Sequence, residues 1–119
     1  MSSATGGVAA GQARTPSPRI WFNRRELDLI LRLYGRMVAA GEWRDYAIDA
    51  LTDSAIFSVF RRASEAPTYR IEKHPALAAQ QGAYRLVSGT GVVLKRGRDL
   101  AQVLRFFDRR LMQLVDARQ

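Results

Sequence analysis

The fold is decided by the stretch Ala55-Ile56-Phe57-Ser58-Val59-Phe60-Arg61-Arg62. β-Branched and aromatic residues dominate this stretch, and a turn-like segment, residues 52–54, separates it from a second apolar run at residues 46–51. Because successive side chains of a strand point to opposite faces, Phe57 and Phe60 should lie on opposite sides of the sheet. The sequence therefore predicts a central strand that is covered on both sides, with both phenylalanines buried.

Further strand patterns follow along the chain. Residues 68–73 alternate between apolar and polar side chains and end at His74-Pro75. Residues 84–87 and 92–95 flank a loop that contains two glycines, which is typical of a β-hairpin. Together with the two central runs, these patterns predict a four- to five-stranded antiparallel sheet.

A helix is predicted before the sheet. Asn23 is a good N-cap, and Glu26 stands at the spacing of a capping box. Gly41 is a natural stop for this helix. Its apolar side chains recur at helical spacing, and they are Leu27, Ile30, Leu31, Tyr34, Met37 and Val38. Leu29 and Leu33 widen that stripe, so we expect the helix to be buried on more than one side or to meet a partner chain.

A second helix is predicted after the sheet, from about Arg98 to about Val115. Its apolar stripe is the clearest helical period in the chain and consists of Leu100, Val103, Leu104, Phe107, Leu111 and Leu114. The fold class is therefore α+β, with an N-terminal helix, an antiparallel sheet and a C-terminal helix packed on the sheet.

Length and composition indicate one small domain. The chain has 119 residues, of which 47% are hydrophobic and 25% charged, as in an ordinary globular protein. Residues 1–20 are rich in Ser, Ala, Gly and Pro, and we expect a disordered tail there. Residues 21–116 form the domain, and residues 117–119 a frayed end. There is no run of about 20 apolar residues, so we expect no membrane partner.

No residue pattern in the sequence indicates catalysis or a cofactor. The chain has no cysteine and a single histidine, His74, which excludes disulfides, thiolate metal sites and multi-histidine metal sites. Ser54, Ser58 and Ser64 lack the glycine pattern of a nucleophile elbow. We therefore expect a protein without catalytic residues, metal or cofactor.

Positive charge is concentrated near the C-terminus. The net charge of the chain is +8. Residues 91–119 hold one lysine and six arginines against three aspartates, so they carry half of this net charge. Arginine suits bidentate contacts to phosphate or carboxylate. At the start of the second helix, backbone N–H groups and the helix dipole would favour an anion further. The predicted nucleic-acid or anion-binding residues are Lys95, Arg96, Arg98, Arg105 and Arg109.

Four segments of the chain resemble a known family. They are residues 35–49, Phe57-Ser58-Val59-Phe60-Arg61-Arg62, Tyr69-Arg70-Ile71-Glu72-Lys73 and Leu94-Lys95-Arg96-Gly97. Together they are similar to an alphaproteobacterial family known as domain of unknown function 2794, over roughly residues 22–111. The resemblance implies a bacterial, cytoplasmic protein and supplies no catalytic or binding residues.

These observations lead to two hypotheses about function. The first is a small cytoplasmic binding or regulatory protein without catalytic activity, whose partner is another protein and which could form a homodimer. The second is an accessory protein that binds RNA or DNA through the basic face of the C-terminal helix. The predicted order of helix, strands and helix is also found in double-stranded-RNA-binding domains, although their motifs are missing.

Overall fold

The computed structural model of the chain describes residues 18–62 and 66–117. In chain order the elements are α1 (Arg24–Ala39), β1 (Asp45–Ala50), β2 (Ala55–Phe60), β3 (Tyr69–Lys73), a 3₁₀ turn (Pro75–Leu77), β4 (Tyr84–Ser88), β5 (Val93–Gly97), α2 (Leu100–Leu104), a second 3₁₀ turn (Arg105–Phe107) and α3 (Asp108–Ala117). The strands form one sheet in sequence order, and each strand pairs antiparallel with the next. This is the predicted α+β architecture.

The start and end of α1 follow the sequence signals. The Asn23 side chain accepts a hydrogen bond from the Glu26 backbone N–H at 2.8 Å, and Glu26 Oε1 accepts one from the Asn23 N–H at 2.7 Å. This reciprocal pair is the capping box that the spacing predicts. The helix ends at Ala39, and Gly41 follows with a φ of 78°, in the left-handed region that glycine adopts without strain.

The buried face of α1 is narrower than its apolar stripe. Ile30, Leu33 and Met37 are fully buried against the sheet. Leu31 and Val38 belong to the predicted apolar stripe, but 40% and 41% of their surfaces are exposed. Burial of this helix on more than one side is therefore not met among the described residues, and contact with a partner chain stays a prediction. Because only one side of a helix can pack against a sheet, the apolar residues on its other sides face outwards.

Both helical segments pack on the same face of the sheet. The ring of Tyr34 in α1 lies 6.2 Å from that of Phe57, and the ring of Phe107 lies 5.0 Å from that of Tyr69, between centroids. Tyr69 pairs with Val59 two residues from Phe57, so Tyr69 and Phe57 share one face. The hydrophobic core lies between this face and the helices.

The opposite face of the sheet carries no helix among the described residues. Phe57 is fully buried, but Phe60, on the other face, is only half-buried. The prediction that Phe60 is buried was therefore wrong, and among the described residues helices cover only one side of this strand. Ser58 and Val87 are buried on this face because neighbouring side chains of the sheet shield them. Below, this face is called the open face.

The C-terminal helix is interrupted, which the sequence did not predict. A 3₁₀ turn separates α2 from α3, and it contains two adjacent phenylalanines. The rings of Phe106 and Phe107 both contact Tyr69, at 6.5 Å and 5.0 Å between centroids. The interruption therefore lies where the C-terminal segment packs on Tyr69 of the sheet.

The described start of the chain is hydrogen-bonded to the end of β1 and the residue after it. Residues 1–17 of the predicted tail, and residues 118–119, lie outside the part that the structure describes. Arg19 Nη1 donates to the Ala50 carbonyl at 2.9 Å, and the Ile20 N–H donates to the Leu51 carbonyl at 2.7 Å. Within residues 18–62 and 66–117, no helix is long and apolar enough to cross a bilayer.

Candidate anion-binding surface

Two glycines bring the loop before β4 against the end of β5. Gly82 has a φ of 90°, and a Cβ added to it would lie 2.2 Å from the Gly97 carbonyl carbon. Only a residue without a side chain allows this approach. The contact holds the backbone of residues 78–81 beside the basic segment that follows β5.

Three of the predicted residues share one open cleft between β5 and the C-terminal helices. Lys95, Arg105 and Arg109 line this cleft, whose volume is about 730 Å³. The half-buried rings of Tyr69 and Phe106 also line it. The remaining lining residues are polar or charged, and they are Gln102, Asp108, Arg110 and Gln113.

The other two predicted residues line an adjoining cleft of about 370 Å³. Arg96 and Arg98 lie there together with Lys95 and Gln102. Lys95 and Gln102 thus belong to both clefts, which makes the two continuous. The structure therefore brings all five predicted residues together, and we call Lys95, Arg96, Arg98, Arg105 and Arg109 the basic surface.

Three side chains of the basic surface have partners within the protein. Arg96 Nη1 donates to Gln81 Oε1 at 2.8 Å. Arg98 donates to two backbone carbonyls of residues 78–79, both at 3.3 Å. Arg105 Nε lies 3.6 Å from an Asp108 carboxylate oxygen, in an exposed pair that contributes little to stability.

Two side chains of the basic surface have no such partner in the part of the chain that the structure describes. Lys95 and Arg109 are exposed, and neither forms a hydrogen bond or an ion pair with another described residue. Both side chains therefore keep all their donors for an external anion, without losing a contact of the fold.

The start of α2 does not provide the backbone anion site that the sequence suggested. Asp99 is the N-cap, and its carboxylate accepts a hydrogen bond from the Ala101 N–H at 3.0 Å. This carboxylate occupies the position that an external anion would take, and α2 has only five residues. Recognition of an anion by this surface consequently depends on the side chains.

A buried carboxylate network lies at the start of α1, and no sequence pattern predicted it. Besides its capping role, Glu26 accepts hydrogen bonds from Lys73 Nζ at 2.8 Å and from the Tyr84 hydroxyl. Lys73 Nζ also donates to the Trp21 carbonyl at 2.9 Å. Burial alone would raise the pKa of Glu26, but bonds from Lys73, Tyr84 and Asn23 outweigh it and keep this pKa below its usual value.

The single histidine has a carboxylate partner. His74 Nε2 lies 2.7 Å from Glu72 Oε1. Ser54 donates instead to Asp53 Oδ1 at 3.1 Å, and Ser58 lies on the open face of the sheet. No serine hydroxyl is hydrogen-bonded to His74 within residues 18–62 and 66–117, and Ser64 lies outside them. Among the described residues there is also no cluster of three metal-binding side chains.

A comparison with protein families decides where the chain belongs. The model of the family described as "Protein of unknown function (DUF2794)" matches residues 20–104, well over half of the sequence. The chain belongs to the DUF2794 family. Lys95, Arg96 and Arg98 fall within the part that matches the family model, whereas Arg105 and Arg109 follow it. A search of the curated proteins found no match, and neither did a search of the solved structures.

Proposed function

We propose that this DUF2794 protein is a small cytoplasmic binding protein without catalytic activity, and that it binds a negatively charged partner through the basic surface. The observation that carries the proposal is the continuity of the two clefts. The five cationic side chains of the basic surface and Arg110 line the two clefts, and Asp99 and Asp108 are the only acidic residues that line them among those described. Such a surface attracts anionic partners and accelerates their association.

Nucleic acid is a second candidate for this partner. The larger cleft adds two glutamines, Gln102 and Gln113, and the edges of two aromatic rings to its arginines. Arginines contact phosphates, and exposed aromatic edges offer contacts to unstacked bases. An acidic protein would use the same charges and would have less use for the rings.

Salt-dependent fluorescence anisotropy with duplex and single-stranded RNA tests the second candidate. Each phosphate contact should lower the logarithm of affinity by roughly 0.7–0.9 per logarithmic unit of salt. The Lys95→Gln/Arg109→Gln variant should make about two fewer phosphate contacts, so the salt dependence of its affinity should be less steep by the amount that two contacts contribute. A matched control, Arg32→Gln/Arg36→Gln, removes the same charge from the exposed side of α1, away from both clefts. Equal slopes for the two variants would exclude nucleic-acid binding at this surface and would leave an acidic protein as the partner.

We also propose that the protein self-associates through the edge of the sheet at β1. Leu31 and Val38 of α1 are about two-fifths exposed, and so are Tyr46 and Ile48 of β1. Gly35 lies between Leu31 and Val38 along the helix, and nothing lies within 4 Å of a Cβ built there. An interior helix glycine costs about 1 kcal/mol relative to alanine, and close approach of a second chain would give it a role.

Light scattering of the wild type and of Leu31→Glu tests this self-association. The wild type should dimerise in a concentration-dependent manner, and the variant should remain monomeric with an unchanged circular-dichroism spectrum. A wild type that is monomeric at all accessible concentrations would exclude the proposed dimer.

A further inference from the structure

A second cluster of charged side chains lies on the open face of the sheet, apart from the larger cleft of the basic surface. Glu72 of β3 pairs directly with Arg85 of β4, and Arg85 pairs directly with Arg96 of β5. Arg70 precedes Glu72 by two residues on the same strand, so its side chain leaves the same face. Four charged residues from three adjacent strands therefore share one patch.

Glu72 holds two of these arginines in place. It is 6% exposed, and its carboxylate accepts hydrogen bonds from Arg85 Nε at 3.0 Å, Arg70 Nε at 3.2 Å and His74 Nε2 at 2.7 Å. Burial would raise the pKa of Glu72, but the bonds from His74, Arg85 and Arg70 outweigh it and keep the carboxylate ionised. The two guanidinium groups consequently lie side by side, one on each carboxylate oxygen.

The terminal nitrogens of both arginines remain available. Arg70 and Arg85 use only Nε towards Glu72, and each side chain is 29% exposed. Their Nη groups form no hydrogen bond with the described residues. Each guanidinium thus presents its outer donors to solvent with its orientation already fixed, which reduces the entropy lost on binding an anion.

The charge of the patch is not balanced by the residues that the structure describes. Arg70, Arg85 and Arg96 carry three positive charges against the single negative charge of Glu72. Like charges directly opposite each other on adjacent strands, as at Arg85 and Arg96, destabilise a sheet. Arg96 donates only to Gln81, which is neutral. Neither packing nor pairing within the described residues explains this arrangement, and a bound anion would.

We propose that Arg70, Arg85 and Arg96 form a binding site for a phosphate group on the open face. Phosphate offers several acceptor oxygens, which suits donors that converge from three strands, and arginine binds it in a bidentate manner. Glu72 acts as a positioning residue, because its oxygens are already occupied and it orients the guanidinium groups. The site shares only Arg96 with the basic surface, and its test follows Arg70 and Arg85, which line neither cleft of that surface.

A titration followed by NMR tests the site without any substitution. The Nε–Hε signals of Arg70 and Arg85 are recorded while inorganic phosphate or O-phosphoserine is added, with sodium chloride at equal ionic strength as the reference. Saturable shifts of these two signals with a phosphate compound are expected, and the compound that binds more tightly shows whether free or esterified phosphate is preferred. Shifts that do not saturate, or that chloride reproduces, would overturn the proposal.

Two variants locate the site more narrowly. Arg70→Gln removes one guanidinium but leaves Glu72 paired with Arg85 and His74, so the fold should persist. The loss of a charge-assisted hydrogen bond should weaken phosphate binding about tenfold or more. Arg32→Gln is the control, because it removes one charge from the exposed side of α1, which lines neither cleft and does not belong to the sheet, and it should leave phosphate affinity unchanged. Equal losses in both variants would contradict a defined site, and if Arg70→Gln did not fold the wild-type titration would decide.

Discussion

Replacing Phe57 and Phe60 separately by alanine measures how the two faces of the sheet differ. Phe57 is fully buried, and its ring stacks on Tyr46 at 4.8 Å and meets Tyr34 at 6.2 Å, between centroids. Phe60 follows on the same strand but is only half-buried on the open face. The two substitutions delete the same atoms from opposite sides of one strand.

The expected costs differ because only one site encloses a cavity. Phe57→Ala should lower the free energy of unfolding by about 3–5 kcal/mol, since the deleted ring leaves a void between α1 and the sheet. Phe60→Ala should cost about 1–2 kcal/mol, since part of its ring already contacts water. A domain of this size has a total stability of roughly 5–15 kcal/mol, so the first variant should be only marginally folded.

Urea unfolding followed by circular dichroism gives both values. The slope of free energy against urea should not change, because the same surface becomes exposed on unfolding. A cost of Phe60→Ala as large as that of Phe57→Ala would refute an open face and would show that something covers it. A cost of Phe57→Ala below about 1 kcal/mol would refute the packing of α1 on the sheet.

Three further predictions concern the turn beside β5 and the buried networks. Gly82→Ala should lower the unfolding free energy by about 2–4 kcal/mol in urea melts, because of its positive φ and its contact with Gly97. The pKa values of Glu26 and Glu72 are depressed below 4.5 in the folded chain. The two ionised carboxylates therefore stabilise the fold above that pH, and this contribution is lost as the pH falls through their pKa values in the folded chain. Urea melts at decreasing pH should show this fall in the free energy of unfolding. The fall should be smaller in the Glu72→Gln variant than in the wild type. Burial and the hydrogen bond to Glu26 raise the pKa of Tyr84 from 10 to about 12. Because the Tyr84 hydroxyl ionises at lower pH in the unfolded chain than in the folded chain, the free energy of unfolding should fall between these two pH values. Tyr84→Phe should abolish this part of the decline.

The sequence predicts local features of this fold well. The capping box of Asn23 and Glu26 is confirmed, and so are all five strands, because both depend on neighbouring residues whose spacing is visible in the chain. The side of the sheet on which each helix packs depends on contacts between distant residues. That is why the burial of Phe60 was predicted wrongly, and why the sequence left open whether the second apolar side of α1 is buried within the chain or meets a partner chain.

The candidate sites show the same limit. The basic surface was found from charge because its residues lie close together in sequence, between 95 and 109. The phosphate site was missed because Arg70, Arg85 and Arg96 meet only through the strand register. One signal was available: Glu72 is a single acid in a strand that also holds Arg70 and Lys73. Without knowledge of how β3 pairs with β4, the sequence does not indicate which arginine lies opposite Glu72.

The most direct test of the proposed function compares what three proteins retain from a native lysate. They are the wild type, Lys95→Gln/Arg109→Gln and the matched control Arg32→Gln/Arg36→Gln, each purified with and without nuclease. We predict that the wild type and the control retain the same partner, that the basic-surface variant loses it, and that nuclease removes it only if it is nucleic acid. Retention of the same partner by all three proteins would contradict binding through the basic surface.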